Sequence, residues 1–522
     1  MPSFIQYSLI LSLFSSLANA LACSSISNIE VPGAHVLSIT GVEQTNVSVA
    51  ASVFSPPLSG LKICDVTLIL THPGANDTVT VQVWLPISGW NGRFQATGGG
   101  GFSVGYGPPG LGPAVAAGYS AVSSDGGNFG AGFALLPDAL VDGHVNQGLL
   151  VNYAYRSVHD MTVVGKAVTQ QYYGEPAKYS YFTGCSNGGR EGIVSAMRYP
   201  GDFDGILASS PAVNEPKVGI SIQWPYVVMQ NEKNAPSQCV FQAFINASIA
   251  LCDGLDGVED GIISNLEDCH FDPFTLVGKR VACDGSTSII DYATAYVVSK
   301  IYGGPVAPNG ARVWNGLNTG TGFNGYWGGM IDVNTTNGIT VAAPESLSEN
   351  YITYLLEKDP AYDTSTITYA EFTALFYQGA VEYEPTIGSN NPDLSEFHMS
   401  GGKLLSWHGL ADNLVPSNST LKYRQSVEAI LGGTDAVDEF YRLFFAPGVN
   451  HCGAGYGPVP INGLEQLVEW VEKGVAPDTL EAQFVDVEGN VVNHDICKYP
   501  LVSKYIGGNP KVAGSYVCAD SF

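Results

Sequence analysis

Val79, Val81 and Val83 alternate with Thr78, Thr80 and Gln82, and this period of two predicts a half-buried strand over residues 77–86. Short β-rich runs at 93–97 and 119–123, each ending near glycines, and at 179–183 predict further strands. Residues 149–172 change period. Ala154, Val158, Met161, Gly165 and Val168 fall on one face of a helix. Residues 189–198 are compatible with a helix, 403–407 and 440–446 with buried strands, and 463–473 with an amphipathic helix. Strand alternating with helix predicts an α/β protein whose mostly parallel sheet is covered on both faces. Residues 206–396 break this rhythm. They carry four cysteines and many Gly, Asn and Thr residues. This segment reads as an insertion, a lid, between the two parts of one catalytic domain, 21–205 and 397–522.

The N-terminus changes the picture of the compartment. Residues 7–18 are apolar apart from serines and lead into Ala18-Asn19-Ala20, the small-x-small pattern of a signal-peptidase site, although the usual basic flank is missing. Residues 1–20 are therefore expected to be a signal peptide and the protein to be secreted. No later run of about 20 apolar residues predicts a membrane span. Ten cysteines, an even number, suit an oxidising compartment. Sequons at Asn46, Asn76, Asn246, Asn334 and Asn418 offer glycosylation sites. In the 522 residues, 22 Lys and Arg face 48 Asp and Glu, a net charge of −26. That balance disfavours nucleic-acid partners and anionic membranes, which need basic surface. The 45% hydrophobic content supports a large core and excludes a disordered chain.

Gly184-Cys185-Ser186-Asn187-Gly188 matches GxSxG, the nucleophile elbow of the α/β-hydrolase fold. The chemistry needs a sharp strand-to-helix turn that lifts the serine hydroxyl above the sheet. Gly101-Phe102-Ser103-Val104-Gly105 matches as well. Ser186 has a strand before it and a helix-compatible segment after it. Ser103 is followed by Gly105, Gly107, Pro108 and Pro109, which are expected to bar a regular helix soon after. Ser186 is the candidate nucleophile.

In this fold the acid and then the histidine follow the serine. His451 lies in the loop just after strand 440–446, at the strand end where such sheets place reactive groups. His408 is the alternative base, read as a structural partner. Asp412 follows strand 403–407 and would orient the imidazole. Asp435 and Asp438 are alternatives at the wrong end of the sheet. Cys185 precedes the candidate nucleophile and Cys452 follows the candidate base. A bridge between them would fix the two loops against each other, though pairing elsewhere stays open.

These residues resemble the tannase/feruloyl esterase family of fungi and bacteria. The resemblance rests on Cys-Ser-x-Gly-Gly at 185–189, the Asp412 loop and His451-Cys452. It extends to Asn91-Gly92-Arg93-Phe94, Tyr155-Arg156-Ser157-Val158-His159 and Gly401-Gly402-Lys403-Leu404-Leu405, nearly the whole mature chain. It implies an α/β-hydrolase fold with a large inserted lid, a Ser186–Asp412–His451 triad and a Cys185–Cys452 bridge. The other expected pairs are Cys23–Cys64, Cys252–Cys269 and Cys497–Cys518, with Cys239–Cys283 left by elimination.

Four glycines, Gly98 to Gly101, follow the strand at 93–97. One reading is an oxyanion hole that combines the N–H of Asn187 with one from Gly99 or Gly100. The other is a plain flexible turn.

The run from Cys252 to Ile262 packs Asp253, Asp256 and Asp260 among glycines. It is not an EF-hand, because Leu255, Gly257 and Ser264 occupy ligand positions. On spacing alone an acidic surface turn competes. In the resembled family this loop lies in the lid and binds calcium. Its ligands map to the carboxylates of Asp253, Asp256 and Asp260 and the carbonyls of Val258 and Ile262. The expected cofactor is thus a structural Ca²⁺.

The function the resemblance implies is hydrolysis of phenolic acid esters, feruloyl esters of plant cell-wall polysaccharide ahead of galloyl esters of tannins. A non-catalytic secreted binding protein of the same fold is the alternative from another class. Trp224, Tyr226 and Trp327 are candidate aromatics in the lid.

Overall fold

The computed structural model describes residues 21–52, 55–283, 286–322, 328–486 and 488–522. The expected signal peptide and Trp327 lie outside the described residues. Nine strands form one sheet: β1 His35–Val49, β2 Leu58–Thr71, β3 Val79–Pro86, β4 Arg93–Thr97, β5 Ser120–Ser124, β6 Tyr179–Cys185, β7 Gly205–Ser209, β8 Lys403–Gly409 and β9 Tyr441–Ala446. Their spatial order is β1-β2-β3-β5-β4-β6-β7-β8-β9. The pairs from β1 to β5 are antiparallel. From β5 through β4 to β9 every pair is parallel.

The alternation read at β3 holds: Val79, Val81 and Val83 are fully buried while Thr80 and Gln82 are half-buried. The same rule operates in β2, where Cys64, Val66, Leu68 and Leu70 are buried. β1 is an edge strand with Leu37 and Val42 exposed, so its pattern is blurred. Both strands extend the sheet beyond the elements the periodicity indicated.

The larger helices are α1 Pro108–Ala116, α2 Ser157–Tyr173, α3 Asn187–Arg198, α4 Glu215–Ser221, α5 Trp224–Asn231, α6 Gln238–Cys252, α7 Tyr292–Gly303, α8 Tyr369–Ile387, α9 Asn418–Leu431 and α10 Gly463–Lys473. The face read at 149–172 packs on the sheet. A Cβ on Gly165 would stand 2.5 Å from the Phe94 ring, so glycine lets α2 approach β4. A π-helical turn, Asn152–Arg156, precedes α2 and carries the buried Tyr153.

Two expectations change. A helix does begin shortly after Ser103: α1 starts at Pro108, with prolines in its first turn, where the missing N–H would have no intrahelical partner. The interior strand β7 falls almost wholly within the segment read as insertion from residue 206, because five residues among glycines and aspartates carry no legible period. The chain leaves the sheet only after Ser209.

The described cysteines form five disulfides: Cys23–Cys64, Cys185–Cys452, Cys239–Cys283, Cys252–Cys269 and Cys497–Cys518. Trp224 and Tyr226 are buried in the insertion, Trp224 against Tyr369 and Phe372. One helical stretch, Gln238–Asp256, is long and apolar enough to cross a membrane by length and composition. Its buried Val240, Phe241, Phe244 and Ile245 and the disulfides at Cys239 and Cys252 tie it into the insertion.

Candidate active site

β6 ends at Cys185 and α3 begins at Asn187, so Ser186 alone makes the turn. Its φ of 62° and ψ of −121° are costly for a residue with a side chain. The surroundings impose them. The Ser186 N–H donates to Ser209 O at 3.0 Å, and its carbonyl accepts from Arg190 and Ala212 N–H. The flanking glycines leave no alternative. A Cβ on Gly184 would sit 2.5 Å from the Gly188 carbonyl carbon, and one on Gly188 2.8 Å from Gly99 O. Ser103 has a different setting. Its Oγ accepts the Gly132 N–H at 2.8 Å within the glycine loop.

The loops after β8 and β9 bring Asp412 and His451 together. His451 Nδ1 is 2.8 Å from Asp412 Oδ2. Asp412 Oδ1 accepts the N–H groups of Leu414 and Val415 at 3.0 and 2.8 Å. Burial works to raise the Asp412 carboxyl, but His451 and His408 beside it outweigh burial and hold it well below the usual carboxylate range. With Nδ1–H directed at Asp412, the imidazole presents an unprotonated Nε2. That Nε2 is buried and has no hydrogen-bond partner among the described residues. His451 and Ser186 line one cavity of about 240 Å³, walled also by Gly100, Gly101, Tyr106, Gly132, Phe133 and Cys452. The Cys185–Cys452 bridge, with its Cα atoms 5.9 Å apart, clamps the two loops.

His408 is fully buried and engaged at both nitrogens. Nε2 faces Asp412 Oδ2 at 3.0 Å and Val415 O at 2.9 Å; Nδ1 faces Thr420 Oγ1 at 2.8 Å. Two acceptors at Nε2 place the proton there, so His408 supports the Asp412 carboxylate and is closed to the cavity. Asp438 is paired with Arg424 and Lys498, each at 2.6 Å, and Asp435 lies on the same short helix before β9. The insertion reaches the Asp412 loop directly. The Met330 N–H donates to Asn413 O, and Asn413 Nδ2 donates to Gly328 O.

In the glycine loop, the Gly98 N–H donates to Thr183 O at 2.9 Å and the Gly99 N–H to Glu191 Oε2 at 3.1 Å. Gly100 and Gly101 are the members that face the cavity. The aromatic walls there, Tyr106 and Phe133, come from the sheet domain, and the residue pattern had not singled them out.

The carboxylates of the acidic loop turn onto its own N–H groups. Asp253 accepts from Asp260 and Gly261, Asp256 from Val258, and Asp260 from Ile262, all at 3.0 Å. Among the described residues no group of three or more His, Cys, Asp or Glu side chains converges as a metal site. The donor chemistry nonetheless fits a hard cation. Burial, with Asp256 and Asp253 adding repulsion, pushes Asp260 up to about 7. Burial and Asp253 also raise Asp256. Of the sequons, Asn46, Asn76, Asn246 and Asn334 are exposed; Asn418 is half-buried and donates to Asn318 Oδ1.

A parallel sheet with a strained serine turn and a buried Asp–His pair at its C-terminal edge defines an α/β-hydrolase. The chain belongs to the tannase and feruloyl esterase family, whose profile matches residues 64–519. A probable feruloyl esterase of Arthroderma benhamiae is 49% identical over 508 residues, covering 96% of this chain and 94% of that protein. A tannin acyl hydrolase from Aspergillus niger superposes with a TM-score of 0.83 at 29% identity, covering 94% of this chain and 92% of its own. Feruloyl esterase B from Aspergillus oryzae superposes with a TM-score of 0.77 at 27% identity, covering 94% and 98%. Members of this family are carboxylic ester hydrolases.

Proposed function

We propose that the chain is a secreted esterase that hydrolyses hydroxycinnamoyl esters such as ferulates, with Ser186 as nucleophile, His451 as base and Asp412 as its orienting acid. The observation that carries this reading is the orphaned Nε2 of His451, a residue that lines the same cavity as Ser186. Ser186 Oγ attacks the ester carbonyl carbon as its proton passes to His451 Nε2. The tetrahedral oxyanion takes hydrogen bonds from the Asn187 N–H and from the cavity-facing part of the glycine loop, Gly100 and Gly101. The Gly99 N–H is already engaged by Glu191. His451 then protonates the leaving alcohol. Water, deprotonated by the same nitrogen, releases the phenolic acid and restores Ser186.

Secretion is supported by the apolar N-terminal stretch and by five paired disulfides, which persist in an oxidising compartment. We assign a structural calcium to Asp253, Asp256 and Asp260 with the Val258 and Ile262 carbonyls, on the likeness of this loop to the family's calcium loop and on its three carboxylates within eight residues. The ion would neutralise these anions and take no part in the reaction.

The ferulate reading follows the relative sharing 49% of its residues. A galloyl-ester reading is favoured by the likeness to the A. niger tannin acyl hydrolase. All such esters share one chemistry, so the acyl pocket decides. A site built to hydrogen-bond three gallate hydroxyls leaves groups unpaired when ferulate binds, about 1–3 kcal/mol for each. The expected result is a higher kcat/KM on methyl ferulate than on methyl gallate or an acetyl ester, with Ser186→Ala as the blank. A preference for methyl gallate converts the reading to a tannase. Fastest turnover of the acetyl ester removes both. Failure of a fluorophosphonate probe to label Ser186 would favour the non-catalytic binding protein.

A further inference from the structure

The helix that follows the nucleophile carries an arginine and a glutamate at adjacent positions where neither side chain reaches solvent. Arg190 and Glu191 are both buried. The Arg190 guanidinium donates to three acceptors: Asn187 Oδ1 at 2.7 Å, Ala154 O at 2.8 Å and Tyr153 O at 2.9 Å. Glu191 turns the other way, under the glycine loop. Its Oε2 accepts the Gly99 N–H at 3.1 Å, and its Oε1 accepts Asn187 Nδ2 at 3.1 Å. Asn187 is the residue whose backbone N–H follows the nucleophile. One carboxyl group therefore holds both halves of the anion-binding cleft, the elbow and the loop opposite it.

We propose that Glu191 is a positioning residue for the oxyanion hole: it fixes the glycine loop against the Asn187 turn so that Gly100 and Gly101 face the Ser186 cavity. This rests on the esterase reading above.

The supporting contacts act in the same direction. The Gly188 N–H donates to Gly99 O at 3.0 Å, which stitches the loop to the start of α3. Tyr153 Oη lies 3.2 Å from Gly101 O and 3.2 Å from Glu215 Oε1, so the far end of the loop is also held. A Cβ on Gly98 would stand 2.7 Å from Glu191 Oε2 and 2.8 Å from Gly188 Cα, so the loop lies directly on the carboxyl group. Burial is the main cause that pushes Glu191 up, to about 8, against the opposing pull of Arg190. A carboxyl group kept in so unfavourable a place needs a compensating role, and two hydrogen bonds to the cleft supply one.

The hydrogen-bond directions make the test specific. Both neighbours of Glu191 are donors. Asn187 cannot flip its amide, because Oδ1 is held by Arg190 Nε and Nδ2 also donates to Ser103 O at 3.0 Å. Glutamine at 191 keeps the size but sets an NH₂ against one of these donors. The loop should shift, and stabilisation present only in the transition state should weaken.

The test compares Glu191→Gln with the parent enzyme on methyl ferulate. The expected result is a fall in kcat of about 10- to 100-fold with KM within about twofold, below the 10²–10³ typical of losing an oxyanion donor outright. Affinity for phenylboronic acid, which forms a tetrahedral adduct on the serine, should fall in step with kcat. Asn187→Ala keeps the backbone N–H, removes the amide that links Glu191, Arg190 and Ser103, and should give a loss of the same kind. It carries the test if the glutamine variant does not fold. Unchanged kcat and boronate affinity in the folded variants would overturn the proposal. A loss confined to KM would do the same. If the parent enzyme shows no Ser186-dependent turnover of any ester, the esterase reading fails instead, and that outcome is separable because it precedes any variant.

Discussion

Asp412 accepts four hydrogen-bonding partners from its pocket, and this explains its expected weight in catalysis. His451 Nδ1, His408 Nε2 and the Leu414 and Val415 N–H groups converge on its two oxygens. In the proposed mechanism the carboxylate fixes the His451 tautomer and stabilises the imidazolium that forms during attack. Asp412→Asn should keep the geometry but present an amide where His451 needs an acceptor. We expect kcat on methyl ferulate to fall by about 10⁴-fold, and the melting temperature to fall as well, because an amide has one acceptor oxygen for the donors that converge on the two carboxylate oxygens. Steady-state kinetics beside a thermal scan check this, and near-normal turnover would exclude Asp412 as the acid. The proposed Ser186–Asp412–His451 set was picked out in the sequence by strand ends and residue order, and of it the fold pairs Asp412 with His451. Glu191 was not picked out. A buried glutamate and a surface one look alike until the sheet packs on α3; the only signal was an Arg-Glu pair directly after Ser-Asn-Gly-Gly.

At the level of elements, two loops and one bridge hold the site. Ser186 and His451 come from strands β6 and β9, which are separated in the sheet by β7 and β8. The Cys185–Cys452 disulfide closes a loop of 267 residues and joins them at their active ends. Replacing both cysteines by serine should reduce esterase activity strongly and cost about 2–5 kcal/mol of stability. Activity equal to the parent after this double change would show that the sheet alone aligns the loops. The proposed calcium loop belongs to the same scale. It is closed by Cys252–Cys269 and packs through Ile262 against the His451 loop at Gly448. Excess EGTA should lower the melting temperature, and added calcium should restore it, since an ion bound only by the native state stabilises by mass action. An unmoved transition with no calcium by elemental analysis removes the site.

For the molecule as a whole, several buried acids set the direction of the pH response. Burial is the largest cause pushing Glu191 up to about 8 and Glu345 up to about 7, against the ordinary glutamate value of 4.5. Their folded forms bind more protons than the unfolded chain between these values, so stability falls as pH rises through that window. The buried His72 adds to this. Burial opposes its protonation, but Asp160 at 2.9 Å and Asp77 at 2.6 Å overcome it and raise the imidazole. That stabilisation is fully present below the unfolded histidine value and is lost above the raised one. Asp412 and Asp77 act oppositely: both are lowered, and what they contribute is lost as pH falls below the ordinary carboxylate range. The net charge of −26 adds repulsion at higher pH. The melting temperature is therefore expected to peak between about pH 4 and 6 and to decline toward pH 9. Scanning calorimetry across this range checks it, and a maximum at pH 8 or above would contradict the ionisation pattern.

The sequence by itself determined the parts whose physics is local. Valines alternating at 79, 81 and 83 specify a strand because side chains alternate across a sheet, and small residues around Ser186 specify a turn because no Cβ fits there. The Cys-Ser and His-Cys dipeptides offered a bridge between the two loops, and the fold forms it as Cys185–Cys452. Only the tertiary structure decided the rest. The edge strand β1 buries too little to show a period, and β7 is recognisable as an interior strand only from its neighbours on both sides. Trp224 and Tyr226, candidate aromatics of the insertion in the sequence, are core residues, Trp224 against Tyr369 and Phe372 of α8, while Tyr106 and Phe133 wall the cavity. Burial, and the pairing of donors with acceptors that it enforces, depends on contacts between residues far apart in the chain. For that reason the roles of Gly99 and Glu191 emerged only from the fold.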